Sequence, residues 1–398
     1  MSDSSQTARI QAVTDTVAEL YNTYPFPPEP LTDDAPPGYN WRWSWEGAYN
    51  FCAGKLSDRP AIRILDAGCG TGCSTEYLVA LNTGAEITAI DISPGALSVA
   101  QERCQRSVNG GATFKHLSLF DADQLEGEFD LINSVGVLHH TADPARGLKA
   151  LADKLAPGGI MHIFVYGELG RWEITLMQEA IGLLQGDKRG DFQDGVAIGR
   201  QIFASLPETN RLRKREEERW SLENSRDECF ADMYVHPQEI DFNVRTLFDW
   251  IDGSGLDFVG FSNPSIWSLE TLVSQNPEIL DRAAPLSERD RYRLIELLNP
   301  SAMTHFEFFL SKGKLTPPNW QDDAVLNAAK AKRSSCMDGW PSATVFNFEY
   351  QVVKLSEAAV AFLTAADGSQ TIADLVQSTG ITLEEVRDLQ TKQLVWLS

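Results

Sequence analysis

The sequence predicts an α/β fold built on a doubly wound, mostly parallel sheet. From about residue 61, short branched apolar runs alternate with helix-like stretches, the pattern of βαβ units covered on both faces. Between the first run and the first helix lies a glycine-rich turn, "ILDAGCGTGCST" (64–75). The chain has 398 residues, 43% of them apolar and 23% charged. That is long enough for one large domain with appendages, in an ordinary globular composition.

The first ~20 residues read as a helix with apolar positions at Val13, Val17 and Leu20. The run "YNTYPFPPEPLTDDAPPGYNWRWSWEG" (21–47) is rich in proline and aromatics and cannot be a regular helix from Pro25 to Pro37. Its aromatics, Tyr21, Tyr24, Phe26, Tyr39, Trp41, Trp43 and Trp45, need a surface to pack on. Residues 1–45 are therefore expected to form an N-terminal helix and an aromatic, proline-rich lid. In the domain at 46–312, "AIRILDAG", "EITAIDIS", "ATFKHLSL", "FDLINSV" and "GGIMHIFVYG" read as strands. Pro94 opens one intervening helix, and Asp143 with Pro144 opens another. Helical insertions are expected at ~171–235 and ~264–300, with a further helix in "PQEIDFNVRTLFDWIDGSG". "LDFVGFSN" and "THFEFFLSK" are strand-like, which makes seven strands. "KLTPPNWQDD" reads as a linker to a small, mainly helical module at 320–398. That module is expected to hold three short helices, with turns at Asp367–Gly368 and Gly380, and a chain ending near 315 is expected to do without it.

A formal charge of -22 speaks against nucleic acid as a partner, because such binding rests on neutralising phosphates. The basic half of "RLRKREEER" (211–219) is cancelled by its acidic half. No apolar run is long enough to span a membrane, and the N-terminus has no secretory pattern, so a cytoplasmic protein is expected. The six cysteines are scattered. Cys69 and Cys73 lack the second pair a structural zinc site needs, so neither disulfides nor a metal is expected.

The glycine turn decides the ligand. A pyrophosphate site uses G-x-G-x-x-G and a helix N-terminus. Here the glycines are Gly68, Gly70 and Gly72, around Cys69, and Asp66 ends the strand before them. A carboxylate at that place repels a pyrophosphate and attracts a cation. S-adenosylmethionine has an ammonium for Asp66, directly or through water, and a carboxylate for the loop amides. Gly70 and Gly72 would let the backbone approach it closely. Asp91, ending the next strand, can accept from two ribose hydroxyls.

"ILDAGCGTG", "ITAIDIS", "FDLINSVGVLHH" and "LAPGGIMHI" together resemble the successive motifs of class I, Rossmann-like, S-adenosylmethionine-dependent methyltransferases. "YGELGR" and "YVHPQEIDFNVRTLFDWIDGSGLDFVGF" are similar to a bacterial subgroup of uncertain substrate. The resemblance implies a seven-stranded sheet with an antiparallel edge and release of S-adenosylhomocysteine. It implies cofactor contacts at Ile92 beside Asp91, at Ser118 and Leu119 for the adenine, and at Ser134 on the fourth strand. Many members carry an acidic residue at the adenine position. This chain has Ser118, with Asp121 nearby. The terminal module weakly resembles winged-helix-like units.

Methyl transfer mainly needs alignment and exclusion of water, with a base only if the nucleophile arrives protonated. His139 and His140, after the fourth strand, and Tyr166 and Glu168, after the fifth, are the candidates near the pocket. Tyr24 and Phe26 are candidates for closing over the methyl donor. Each of these also has a plain packing role as its alternative. The expected reaction is methylation of a small metabolite. A protein acceptor and a non-catalytic cofactor-binding protein remain as alternatives, and a dehydrogenase is disfavoured by Asp66. The oligomeric state is left open.

Overall fold

A computed structural model describes residues 3–36 and 40–398, so Pro37 and Tyr39 of the aromatic run lie outside the described residues. The chain starts with helix α1 (Asp3–Thr23) and reaches α2 (Trp45–Ala53) through a short turn at Trp41–Trp43. The alternating region follows: β1 (Arg63–Ala67), α3 (Cys73–Leu81), β2 (Glu86–Asp91), α4 (Pro94–Ser107), β3 (Ala112–His116), β4 (Phe129–Val135), α5 (Pro144–Lys154) and β5 (Leu155–Tyr166). The first insertion contains α6 (Glu168–Gln185), α7 (Phe192–Ser205), α8 (Arg211–Arg215) and α9 (Asp227–Tyr234). After α10 (Val244–Ser254) comes β6 (Asp257–Phe261). The second insertion, α11 (Leu269–Leu272), α12 (Pro277–Ala283) and α13 (Glu288–Leu298), leads to β7 (His305–Ser311).

The main sheet has seven strands in the order β3-β2-β1-β4-β5-β7-β6. All neighbours run parallel except at β7, which is antiparallel to both β5 and β6. The winding direction reverses between β1 and β4, the place where open α/β sheets bind ligands at the carboxyl ends of their strands. β1 and β4 are buried almost throughout, as strands covered on both faces must be. The expected helix starts are present: Ser93 caps α4 and Asp143 caps α5, each followed by proline.

Helix α1 lies on the sheet domain. Asn22 near its end accepts from Ser93 Oγ and from the Gly95 amide, which serves an otherwise orphaned donor at the start of α4. No helix among the described residues is long and apolar enough to cross a membrane.

The terminal module departs from its mainly helical expectation. It has a helix α14 (Asp323–Ala328), strands β8 (Lys330–Arg333), β9 (Thr344–Phe346) and β10 (Val352–Lys354), and α15 (Glu357–Ala365). β11 (Asp367–Thr371), α16 (Ile372–Thr379), α17 (Leu383–Thr391) and β12 (Val395–Leu397) complete it. The three expected helices are α15, α16 and α17. The Asp367–Gly368 turn instead opens β11, part of a three-stranded sheet in the order β11-β8-β12. The module has its own apolar core around Phe362, Leu375 and Val395. It is also joined to the main domain: Leu56 N–H donates to the Leu397 carbonyl, Trp320 Nε1 to the Gly54 carbonyl and Trp41 Nε1 to the Phe348 carbonyl.

Candidate active site

At the switch point lies a cavity of about 520 Å³. The glycine turn, the ends of β2 and β4, helix α1 and the first insertion all contribute to its wall. Gly68, Gly70 and Gly72 have φ of 85°, 53° and 85°, values that favour glycine. The space each leaves open is filled by the protein itself. A Cβ on Gly68 would stand 2.4 Å from Val137, one on Gly70 2.5 Å from the Phe26 carbonyl oxygen, and one on Gly72 2.8 Å from Ala100. Gly68, Cys69 and Gly70 line the cavity. Gly72 does not; it lets α4 pack closely, which corrects its expected place against the ligand.

Asp91 lines the cavity, with Ile92, Ser118 and Leu119 beyond it. Its two oxygens accept from the Gly70 and Ser93 amides, both at 2.8 Å. A carboxylate has about four acceptor positions, so each oxygen keeps capacity for a ribose hydroxyl. Asp66, expected to receive the ammonium directly or through water, does not itself line the cavity. It is buried behind the wall and accepts from Ser74 (2.7 Å), Thr75 (2.6 Å) and Asn133 (2.8 Å). Ser74 itself lines the cavity, so Asp66 reaches the site through that hydroxyl. Burial raises the pKa of both Asp66 and Asp91, and hydrogen bonds to each carboxylate counter the shift. Ser134 lies buried in β4 outside the wall, where Val135, Gly136 and Val137 stand instead. Asp121 is exposed and also lies outside it.

Another part of the wall is formed by residues far apart in sequence. Tyr21 on α1, His140 after β4, Tyr166 at the end of β5, Arg171 on α6 and Asp232 on α9 all line the cavity. Tyr21 donates to Asp232 Oδ1 at 2.9 Å, and Tyr166 donates to its Oδ2 at 3.4 Å. Burial pushes the Asp232 pKa up to about 6 against those bonds and the Arg171 charge. Arg171 sits over the Tyr166 ring, 3.4 Å from its centroid, and pairs with Glu239 at 3.0 Å and Asp241 at 3.8 Å.

Of the candidates read from the sequence, His140, Tyr166 and Phe26 line the cavity, and His139, Glu168 and Tyr24 do not. His139 is fully buried between the rings of His140 and Tyr166, both 4.0 Å away, and neither ring nitrogen has a partner. It is a packing residue. Glu168 is exposed and accepts from Asn243 at 2.6 Å, at the start of α10. Tyr24 packs against the α6–α7–α9 cluster; Tyr21, one helical turn earlier, and Phe26 hold the wall positions instead. The signal for Tyr21 was its i+4 spacing from Val17, which also lines the cavity. Asp232 and Arg171 carried no comparable local signal.

His140, Asp232 and His236 offer three potential ligand atoms within 4.8 Å of one another, a grouping not anticipated from the sequence. A metal-bound imidazole donates its other ring N–H to an acceptor. His140 meets that condition, with Nδ1 3.0 Å from the Gln238 carbonyl. His236 does not, because its Nδ1 accepts the Gln238 amide N–H at 3.1 Å. The group is therefore organised by hydrogen bonds.

Residues 65–161 match the methyltransferase-domain family. The chain is a class I S-adenosylmethionine-dependent methyltransferase. It belongs to one family with an uncharacterized Synechococcus protein, 58% identical over 97% of this chain and 94% of the relative. An uncharacterized phycocyanin operon protein W of Pseudanabaena tenuis is 67% identical over 23% of the methyltransferase and 86% of the relative. A ubiquinone biosynthesis O-methyltransferase of Xanthomonas campestris is 34% identical over 26% of this chain and 43% of its own length. PKMT2 of Rickettsia typhi in complex with AdoHcy shares the fold, with a TM-score of 0.59 and 13% identity over 91% of this methyltransferase and 77% of that chain.

Proposed function

We propose that this methyltransferase transfers the methyl group of S-adenosylmethionine to a small molecule held in the inner part of the cavity. The observation that carries this reading is that Asp91 and the glycine turn open into the same cavity as the buried Asp232 and His140 and the half-buried Tyr166. Cofactor and nucleophile would meet inside one cavity. Val13, Val17, Phe164, Trp220 and Met233 give its wall an apolar character suited to the body of a small organic acceptor. When bound, the cofactor supplies an electrophilic methyl group on a sulfonium. Asp91 would hold the ribose, Ser118 and Leu119 the adenine, and Phe26, Trp43 and Tyr21 would keep water from the reacting atoms. The -22 charge supports an acceptor other than nucleic acid, and six free cysteines suit a reducing, cytoplasmic setting.

A side chain of a protein is the second reading. It is favoured by the relative named for the phycocyanin operon. Methyl-labelled S-adenosylmethionine, incubated with the enzyme and a size-fractionated Synechococcus extract, separates the two. The proposal expects label in the small-molecule fraction. Label in precipitable protein, or on added phycocyanin, would replace it with the second reading, and no transfer to any fraction would favour a non-catalytic role.

A further inference from the structure

Gln238 offers one peptide amide to His236 Nδ1 and one carbonyl to His140 Nδ1. An amide can only donate and a carbonyl can only accept. In the neutral rings, His140 therefore carries its proton on Nδ1 and has a bare Nε2. His236 has a bare Nδ1 and carries its proton on Nε2. That proton points to the Tyr21 oxygen at 3.3 Å, and Tyr21 in turn donates to Asp232. The donors run one way, from His236 through Tyr21 to the carboxylate. His140 Nε2 stays outside this chain. Burial keeps both rings neutral, with His140 lowered to about 3 and His236 well below its usual value.

We propose that His140 Nε2 and the Asp232 carboxylate form a two-acceptor seat for a nitrogen nucleophile with at least two N–H hydrogens, a primary amine or a primary amide. This rests on the methyltransferase reading above and goes further by naming the atom methylated. Both residues line the cavity, and a ring nitrogen of His140 and a carboxylate oxygen of Asp232 lie within 4.8 Å of each other. A nitrogen between them can give one hydrogen to each. A hydroxyl has one hydrogen and can serve only one of the two acceptors, so it forgoes a hydrogen bond that the nitrogen makes. Asp232 has tyrosine hydroxyls as its partners, while Arg171 is engaged by Glu239 and Asp241. It is therefore the proton acceptor of the pair. The nitrogen lone pair forms the bond to the methyl carbon, the C–S electron pair leaves with sulfur, and one N–H proton passes to Asp232 and then to solvent.

Two measurements on the full chain with S-adenosylhomocysteine test this. Long-range ¹H–¹⁵N spectra, assigned with single-histidine variants, should show His140 protonated on Nδ1 only and His236 on Nε2 only. The reverse tautomer at either ring, including the bare His236 Nε2 that a metal site requires, would overturn the seat. Benzylamine, benzamide and benzyl alcohol then serve as matched probes in a thermal-shift titration. At least one nitrogen probe should bind about tenfold more tightly than the alcohol, and Asp232→Asn should remove the benzylamine advantage. The amine and amide arms separate the two nitrogen classes. Equal or tighter binding of the alcohol, or no binding by any probe, would refute the seat while leaving cofactor binding intact. The tautomer spectra need no Asp232 variant and so stand even if that variant fails to fold.

Discussion

Asp232 shows at the scale of one residue how a buried carboxylate taxes the fold. Burial raises its pKa from 3.8 to about 6, so the native state disfavours its charged form. For an acid raised in this way, the stability contribution is complete below the unfolded value and is lost as pH rises through the folded one. Between pH 4 and pH 7 the wild type should therefore lose ~2–3 kcal/mol of stability relative to Asp232→Asn. Urea unfolding of both proteins across that range checks it, and a difference that does not change with pH would contradict the assignment. Asp91, Gly68 and Gly70 were legible in the sequence because strand, turn and helix are contiguous there. Asp232 was not, because its partner Tyr21 is 211 residues away and only the folded chain brings the two together.

Among the elements, the N-terminal segment corrects the picture of a loose lid. The Phe26 carbonyl accepts from the Thr71 amide, and the Pro27 carbonyl accepts from the Thr71 hydroxyl. Arg103 on α4 donates to the carbonyls of Thr71, Pro30 and Glu29, and lies 3.7 Å from the buried Glu76. The segment is a strap tied to the glycine turn, and the bareness of Gly70 makes room for it. Proline and aromatic content announced a packed, irregular run, but not that its carbonyls would meet the turn. Arg103→Met removes three donors and leaves Glu76 unpaired, with an expected cost of ~3–5 kcal/mol. Cofactor affinity should weaken as well, because the strap positions the turn. Chemical denaturation and calorimetry check both effects; an unchanged cofactor affinity would mean that the strap is only packing.

The whole molecule is joined more tightly than the proline linker suggested. Trp396 of the module lies 3.5 Å from where a Cβ on Gly47 would stand, and Lys332 pairs with Glu46 at 2.6 Å. Phe348 and Cys336 pack into the core formed by Trp41, Trp45 and Phe309. A chain ending near 315 would bare these apolar faces, so it should melt at a lower temperature and aggregate. An equal melting temperature would restore the view of an independent module. The seven-stranded sheet was legible throughout because its strands are local and periodic, whereas the module's three-residue strands are too short to leave a pattern. The central claim is that the turn at the β1–β4 switch point holds S-adenosylmethionine with Asp91 on its ribose. Calorimetry of S-adenosylhomocysteine binding to the wild type and to Asp91→Ala tests it most directly. Loss of a charged hydrogen bond worth about 1.5–3 kcal/mol should weaken affinity roughly 10- to 150-fold, with no comparable affinity for NAD in either protein. Undiminished binding by Asp91→Ala, or a preference of the wild type for NAD, would contradict it.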